Sequence, residues 1–349
     1  MRSSARRDDA HAKTPRRKDQ PSSGILCPVP IRGDSIHLMS EEYIGIALGS
    51  TYCRIGDLEY NLAQIGEFAE QARRAGSHVL LTPELSATGY GPYPKVLNLA
   101  EKAGEGAVYE GLAKIVKKTG VVVAAGFTER HDHGAGISHY VVFPGGSFVV
   151  QRKYRVTPFE NPLVSRFPTH PQGVDVPEKL DFATMKFPTF EIQGLTCGLA
   201  ICADACIENL QECFDTLGVR VMLGPSGAGG DVNERVRSAD LLTPEGREKY
   251  KRALDKHFFP STQCILDCVS RRRALAAVNQ SGWDERKCSH IGDGAVIAPT
   301  GEMPVFIYGI PNLDYQRPAF GAGRIPLAQF AANPATNEVP TSAPAEITQ

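Results

Sequence analysis

The chain has 349 residues, of which 42% are hydrophobic, 8% aromatic and 22% charged. This composition is ordinary for a globular protein and excludes collagen-like, coiled-coil and wholly disordered chains. The 38 lysines and arginines nearly balance the 39 aspartates and glutamates, and the formal net charge is −1. A chain with so little net charge has no global basic field to attract nucleic acid.

The two ends of the chain differ in composition from the middle. Residues 1–40 form a basic arm that contains Ser and Pro but no hydrophobic period, and residues 329–349 are rich in Ala, Pro and Thr. We expect a disordered arm and a flexible tail, with Met39 as a candidate translation start. The arm lacks the apolar stretch of a secretory signal, and no run approaches the ~18 apolar residues of a membrane span. We therefore expect a cytoplasmic protein that does not bind membranes.

The nine cysteines are an odd number in a long chain. Because the sequence shows no export signal, they are predicted to be thiols and not a disulfide framework. The spacing of Cys197, Cys202, Cys206 and Cys213 matches no common structural zinc pattern, and Cys197 falls inside a predicted strand. We therefore expect no metal site.

Hydrophobic periodicity between the two ends predicts strands that alternate with helices. The predicted helices lie at about 58–75, 106–118, 207–217, 234–257 and 262–271, and the one near 234–257 is polar. The predicted strands lie at about 43–48, 78–81, 121–125, 139–144, 147–153, 185–192, 195–201, 221–223, 273–278, 294–298 and 303–308. Strand–helix units mixed with hairpins favour a mixed sheet covered by helices. With no linker and no internal repeat in the sequence, residues 41–328 are predicted to form one domain.

Three predicted strands end in side chains that can carry chemistry. Glu84 follows the second strand, Lys153 ends a hairpin strand with Glu160 seven residues later, and Cys202 ends a buried strand. Each residue alone has an ordinary interpretation, as a capping acid, a solvated strand end or an inert core thiol. Together they form a complete set for acyl transfer, because a thiolate can attack, a carboxylate can move protons and an ammonium can stabilise an oxyanion.

The order Glu84, Lys153, Cys202 resembles that of the nitrilase, or carbon–nitrogen hydrolase, superfamily. The resemblance covers roughly residues 43–310 and rests on segments that occur in the family's order: Gly56–Leu62, Pro83–Tyr90, Arg152-Lys153 with Glu160, Gly198–Asp204, Pro225-Ser226, Asn279–Gly282 and Gly294–Glu302. It implies a four-layer αββα sandwich with mixed sheets. It also implies a homodimer or a larger homo-oligomer, and no metal or organic cofactor.

The resemblance further implies a catalytic triad of Glu84, Lys153 and Cys202, with Glu160 as a second acid that positions the lysine or assists proton transfer. The expected reaction is hydrolysis of an amide or carbamoyl C–N bond of a small molecule through a thioester, with release of ammonia or an amine. A nitrilase acting on a nitrile and a catalytically silent interaction protein are the alternatives. Retention of all four residues favours an enzyme.

Three residues near the triad are expected to form the substrate and oxyanion region: Tyr90, Ala203 and Asp204. A backbone N–H near Ala203 would help the lysine to hold the oxyanion. The sequence departs from the family here, because an aromatic residue often follows the nucleophile where this chain has Ala203. Substrate specificity therefore does not transfer from the resemblance.

Three further features of the sequence invite other interpretations. Gly224–Gly230 is rich in glycine but lacks the Lys-Ser/Thr of a phosphate loop, and it is predicted to be a mobile lip of the active site. Arg271–Arg273 is predicted to be a solvated helix end. Cys264 and Cys268, four residues apart on a predicted helix, are expected to be packing residues and not ligands.

Overall fold

Two six-stranded sheets lie at the centre of the protein in the computed structural model. The described residues are 42–90, 96, 98–131, 134–155, 187–231, 238–257, 260–283, 288–307 and 318–331. They fall within Glu41–Gln349, one of the two units into which the chain divides; the other unit, Met1–Ser40, is outside them. Glu160 and residues 332–349 of the predicted tail also lie outside the described residues.

The first sheet combines parallel and antiparallel strands. Its strands are β1 (Tyr43–Ser50), β2 (Val79–Leu81), β3 (Val122–His131), β4 (Gly134–Val142), β5 (Phe148–Arg152) and β15 (Ala319–Pro326). Their order across the sheet is β15-β1-β2-β3-β4-β5. Strands β1, β2 and β3 are parallel, whereas β4, β5 and β15 pair with their neighbours in the antiparallel sense.

The second sheet has its own set of six strands. They are β6 (Phe190–Ile192), β7 (Leu195–Leu199), β8 (Val221–Ser226), β10 (Ala274–Asn279), β13 (Gly294–Ile297) and β14 (Val305–Ile307). Their order is β14-β13-β10-β8-β7-β6, with β7, β8 and β10 parallel. A small third sheet joins β9 (Gly230–Asp231), β11 (Ser281–Trp283) and β12 (Cys288–Ile291).

The two large sheets share one topology. In each, three parallel strands are followed by two antiparallel ones, and a further antiparallel strand pairs with the first: β15 beside β1, and β6 beside β7. We call β1–β5 with their helices the first half, and β7–β14 with theirs the second half. The fold is therefore a topological repeat that leaves no repeat in the sequence.

Helices cover the outer face of both sheets. The helices are α1 (Leu58–Ala75), α2 (Ala107–Thr119), α3 (Leu210–Thr216), α4 (Pro244–His257) and α5 (Thr262–Ser270), with 3-10 helices at Cys202–Cys206, Ser238–Leu242 and Leu327–Phe330. Helix α1 has the predicted bounds because Asp57 caps its first turn and Gly76 ends it with φ 72°. Among the described residues, no helix is both long and apolar enough to cross a membrane.

Strand alternation divides the apolar side chains among three clusters. On β1, Ile44, Ile46 and Leu48 join the cluster between the two sheets, whereas Ala47 packs with α1 and α2 on the outer face. Helices α3 and α5 pack on the outer face of the second sheet in the third cluster. The order helix, sheet, sheet, helix is the predicted four-layer αββα sandwich.

The strand β15 is absent from the predictions. Its sequence includes Gly321 and Gly323, which interrupt the alternation that normally indicates a strand. A Cβ at either position would come within 2.6 Å of the Val305 side chain, so these glycines allow close packing across the two sheets. The two glycines are explained by the contact of β15 with Val305 of the other sheet, and this contact is not visible in the local sequence.

The arginine run after α5 corrects one prediction. Arg273 is 1% exposed and is not part of a solvated helix end. Its guanidinium donates to the Val219 carbonyl at 3.0 Å, to Asp215 Oδ1 at 2.7 Å and to Gln211. Only the two preceding arginines of the run are on the surface. Arg273 therefore anchors the start of β10. This is the end of the parallel strands opposite to the one that carries the predicted site.

Candidate active site

Glu84 lies in a tight turn after β2, the central parallel strand of the first half. The turn is held against β3 because the Gly126 N–H donates to Ser86 Oγ at 3.0 Å. A Cβ at Gly126 would overlap the backbone of Leu85, which itself has a left-handed φ of 51°. This close approach places Glu84 in the interior, where the residue is 0% exposed.

Lys153 follows β5 and is anchored through its neighbours. Its backbone N–H donates to the Ile137 carbonyl of β4 at 2.9 Å. The preceding residue, Arg152, forms a two-point ion pair with the buried Glu129 at 2.6 and 2.7 Å, and Ser138 donates to the same carboxylate at 2.7 Å. Charge-assisted paired hydrogen bonds of this kind fix geometry well, so the backbone at Lys153 is held firmly.

Glu84 and Lys153 form a buried ion pair. Lys153 Nζ lies 2.6 Å from Glu84 Oε1, and both side chains are 0% exposed. The second carboxylate oxygen, Oε2, accepts from the Gly227 N–H at 3.2 Å. Removal of two charges from water is costly unless each is compensated, so the pair depends on both partners and on this additional donor.

Cys202 lies at a strained turn after β7 and begins the 3-10 helix Cys202–Cys206. Its φ is 51°, in the left-handed region that residues other than glycine seldom adopt. The residue is half-buried. Ser226 Oγ lies 3.4 Å from Cys202 Sγ. Backbone strain that surrounding structure maintains is typical of functional sites.

Two consecutive residues connect the thiol with the ion pair. Ser226 ends β8 and contacts Cys202 through its hydroxyl, while the N–H of the next residue, Gly227, donates to Glu84. The carboxylate and the thiol therefore flank one short segment of the second sheet. Because Lys153 pairs with the same carboxylate, the three predicted catalytic residues meet where the two halves face each other.

Asp204 ties the backbone after Lys153 to the backbone before the thiol. Its Oδ1 accepts from the N–H groups of Tyr154 at 3.0 Å and Arg155 at 2.6 Å, and its Oδ2 accepts from the Ile201 N–H at 3.3 Å. Burial raises the pKa of Asp204 to about 7, although a backbone N–H and the Lys153 ammonium favour the ionised form. The carboxylate thus faces backbone amides of both halves.

Tyr90 packs beside the segment that contains Ser226 and Gly227. It is 1% exposed, and a Cβ at Gly227 would overlap its ring. The ring also stacks on His290 at a centroid distance of 6.2 Å. The His290 Nδ1 and the Asn279 Nδ2 lie 3.1 and 2.9 Å from the Ala228 carbonyl oxygen. Tyr90 therefore packs beside Gly227, whose N–H contacts Glu84.

Other predicted residues take varied positions. Ala203 is half-buried in the 3-10 helix that begins at the thiol. Cys264 and Cys268 pack in the apolar cluster of the second half, as predicted. No group of His, Cys, Asp or Glu in the described ranges is arranged to hold a metal ion.

The glycine-rich segment differs from its prediction as a mobile lip. Its first three residues, Gly224, Pro225 and Ser226, belong to the buried strand β8. Ser226 and Gly227 were predicted only as part of that lip, without contacts to Cys202 or Glu84. The available signal was the Pro225-Ser226 pair at a strand end, but only the parallel pairing of β7 and β8 brings that end to Cys202.

Known proteins resemble this chain in sequence and fold. A probable nitrilase of Schizosaccharomyces pombe is 22% identical over 256 residues, or 72% of this chain and 79% of the relative. An amidase from Nesterenkonia sp. is 18% identical with a TM-score of 0.59, over 82% of this chain and 91% of that structure. A variant of that amidase with the acetamide moiety of fluoroacetamide added at its active-site cysteine is also 18% identical, with a TM-score of 0.60 over 83% and 94%.

A family comparison covers most of the chain. The model described as carbon-nitrogen hydrolase matches residues 46–306, which include both halves of the sandwich and the turns that carry Glu84, Lys153 and Cys202. The amidase structures share the fold, so sequence and architecture agree. This chain belongs to the carbon–nitrogen hydrolase family of the nitrilase superfamily.

Proposed function

We propose that the protein hydrolyses the C–N bond of a small amide through a thioester on Cys202. The observation that carries the proposal is the pair of contacts from consecutive residues, Ser226 to the thiol and Gly227 to the Glu84 carboxylate, beside the buried Lys153. A nucleophile, a proton acceptor and a cation thereby share one site, as acyl transfer requires.

Acylation begins when Glu84 takes the thiol proton of Cys202. The thiolate attacks the amide carbon, and the Lys153 ammonium, with a backbone N–H near Ala203, holds the negative charge that develops on the oxygen. The tetrahedral intermediate collapses as the C–N bond breaks. Glu84 returns its proton to the departing nitrogen, so ammonia leaves and a thioester remains.

Deacylation uses the same groups in the reverse direction. Glu84 accepts a proton from water as the oxygen attacks the thioester carbon, and Lys153 again holds the oxyanion. The C–S bond breaks, the carboxylic acid leaves, and the proton on Glu84 restores the Cys202 thiol. We assign Asp204 the role of a positioning residue, because its carboxylate holds backbone amides and no substrate-facing group. Glu160 remains our candidate for a second acid beside the lysine.

Amides are preferred as the substrate class because the structural relatives are amidases. Variants of the Nesterenkonia amidase are described with butyramide and with acrylamide. A nitrile is the second candidate, since the relative from Schizosaccharomyces pombe is named a probable nitrilase. Both substrates share attack of a thiolate on an electrophilic carbon, so the same residues would serve.

Ammonia release tests the proposal. Wild-type protein is given butyramide, acrylamide, a carbamoyl compound and butyronitrile, alongside Cys202→Ala and the control Cys206→Ala, which removes an exposed thiol four residues away. We expect release from an amide that disappears in Cys202→Ala and persists in Cys206→Ala. Release from butyronitrile alone would favour the nitrilase, and retained activity in Cys202→Ala would overturn the mechanism.

A further inference from the structure

We propose that Ser226 is a catalytic residue whose hydroxyl donates a hydrogen bond to the Cys202 thiolate. The inference rests on the proposed function of Cys202 as nucleophile and adds a group to the same site. Ser226 is 0% exposed, and its Oγ lies 3.4 Å from Cys202 Sγ, a normal distance for a hydrogen bond to sulfur.

The direction of the hydrogen bond follows from the second partner of the hydroxyl. The Ala228 N–H donates to Ser226 Oγ at 3.0 Å. A serine hydroxyl has one proton and two lone pairs, so an N–H that occupies a lone pair leaves the proton available to another acceptor. Cys202 Sγ lies within reach of that proton.

The backbone that orients Ser226 is itself fixed. Ser226 pairs with Asn279 in the parallel register of β8 and β10. The Ala228 carbonyl oxygen is held by Asn279 Nδ2 at 2.9 Å and lies 3.1 Å from His290 Nδ1. A change of the Ser226 side-chain rotamer that carried Oγ away from the thiol would break its contact with the Ala228 N–H. The donor is therefore preorganised before substrate binds.

The hydroxyl would act where the sulfur carries charge. Sγ is a thiolate before attack and again when the C–S bond of the thioester breaks, and it is neutral in the thiol and in the thioester. A donor at Sγ therefore lowers the pKa of the thiol and improves sulfur as a leaving group. No proton moves from Ser226 in either step, so the Glu84 proton transfers are unchanged.

The test compares alkylation of Cys202 by iodoacetamide across pH in Ser226→Ala, Ser226→Thr and wild type, followed by mass spectrometry of the peptide that contains Cys202. We expect Ser226→Ala to raise the pKa of the thiol by about one unit, equivalent to a tenfold change in the thiolate equilibrium. We also expect kcat/KM to fall about tenfold or more. Ser226→Thr keeps the hydroxyl and should lie closer to wild type.

Ser77→Ala is the matched control. Ser77 is a buried serine beside the start of β1, at the opposite end of the sheet, and its replacement should leave the alkylation profile unchanged. An unchanged profile in Ser226→Ala, or a Ser226→Thr profile no closer to wild type than that of the alanine variant, would overturn the proposal. If Ser226→Ala does not fold, Ser226→Cys keeps the size of the side chain and replaces the hydroxyl by a much weaker donor, so it should shift the alkylation profile in the same direction.

The two proposals fail separately. Ammonia release that survives Cys202→Ala would contradict the nucleophile itself. If Cys202→Ala abolishes activity but Ser226→Ala leaves the alkylation profile of Cys202 unchanged, only the role of the serine is contradicted.

Discussion

Two cysteines occupy the same topological place in the two halves of the molecule. Cys53 follows the end of β1 by three residues, from Ser50, and Cys202 follows the end of β7 by three, from Leu199. Cys53 is 3% exposed and contacts Thr51 Oγ1 at 3.0 Å. Burial raises the pKa of Cys53 to about 12, so this thiol is not ionised at neutral pH.

Cys202 differs from Cys53 in access and in backbone conformation, although each thiol lies beside a hydroxyl. It is half-buried, has the strained φ of 51°, and lies beside the hydroxyl of Ser226. The position after the first parallel strand therefore does not make a nucleophile by itself. Under the proposed function, access and backbone conformation distinguish the reactive thiol from the buried one.

A second difference concerns the turn after the next parallel strand. In the first half this turn carries Glu84, and in the second half it carries Ser226 and Gly227. The two turns contact each other through the Gly227 N–H and Glu84 Oε2. Equivalent turns of a repeated topology thus have different chemistry and complete one site, with charge from one half and a backbone donor from the other.

The largest expected effect separates the two cysteines. Cys202→Ser should reduce ammonia release by at least about 10³-fold, since the Glu84 carboxylate can deprotonate a hydroxyl far less readily than a thiol. Cys53→Ser should keep turnover and lower the free energy of unfolding by about 1–3 kcal/mol, because it buries a more polar group. Steady-state kinetics and urea unfolding of both variants measure the contrast; equal loss of activity in the two would refute it.

The next effect concerns the buried ion pair of the first half. Lys153→Met and Glu84→Gln should each reduce kcat/KM by at least about 10²-fold. Each should also lower the free energy of unfolding by about 3–5 kcal/mol, because one charge stays buried without its partner. The double variant Glu84→Gln/Lys153→Met should recover stability and remain inactive. Denaturant unfolding measures these stabilities. A loss of unfolding free energy in the double variant equal to the sum of the losses in the two single variants would contradict this explanation.

A pH dependence follows from Asp204, which joins the two halves. Burial raises the pKa of Asp204 from an ordinary 3.8 to about 7 in the fold, so between these pH values the folded state retains a proton that the unfolded state has lost. The free energy of unfolding contributed by Asp204 therefore falls as pH rises from about 4 to 7 and levels off above it. Asp204→Asn should remove this slope. Urea unfolding between pH 4.5 and 8 measures it, and parallel curves for both proteins would contradict the assignment.

The smallest effect on activity is expected at the opposite end of the second half. Arg273 is a buried cation like Lys153, but it lies just before β10 and pairs with Asp215 of α3. Arg273→Met should lower the free energy of unfolding by about 1–3 kcal/mol and leave kcat/KM within about twofold. Steady-state kinetics and urea unfolding of Arg273→Met measure the two effects. A loss of activity as large as in Lys153→Met would show that loss of any buried cation reduces activity, and that the position of Lys153 is not special.

Local signals account for the parts of the structure that were predicted well. The helix at Leu58–Ala75 has an apolar face, a capping Asp57 and a terminal Gly76, all of which are visible in the sequence. Glu84, Lys153 and Cys202 each follow a recognisable strand, and the family resemblance supplied their order; their catalytic roles stay predictions.

Contacts between distant segments account for the parts that were missed. Gly321 and Gly323 obscure β15 because they make room for a strand of the other sheet. The partner of Arg273 lies 58 residues away at Asp215, so the charge alone suggested a solvated surface. Ser226 reaches the thiol only through the pairing of β7 with β8. None of these relations has a local pattern.

The most direct test identifies the residue that carries the acyl group during turnover. Protein quenched in acid while it hydrolyses a slow amide substrate is digested, and the cysteine-containing peptides are examined by mass spectrometry. We predict the acyl group on the peptide with Cys202 and none on the peptide with Cys53. An acyl group on any other residue, or ammonia release with no trapped thioester under conditions that slow deacylation, would contradict it.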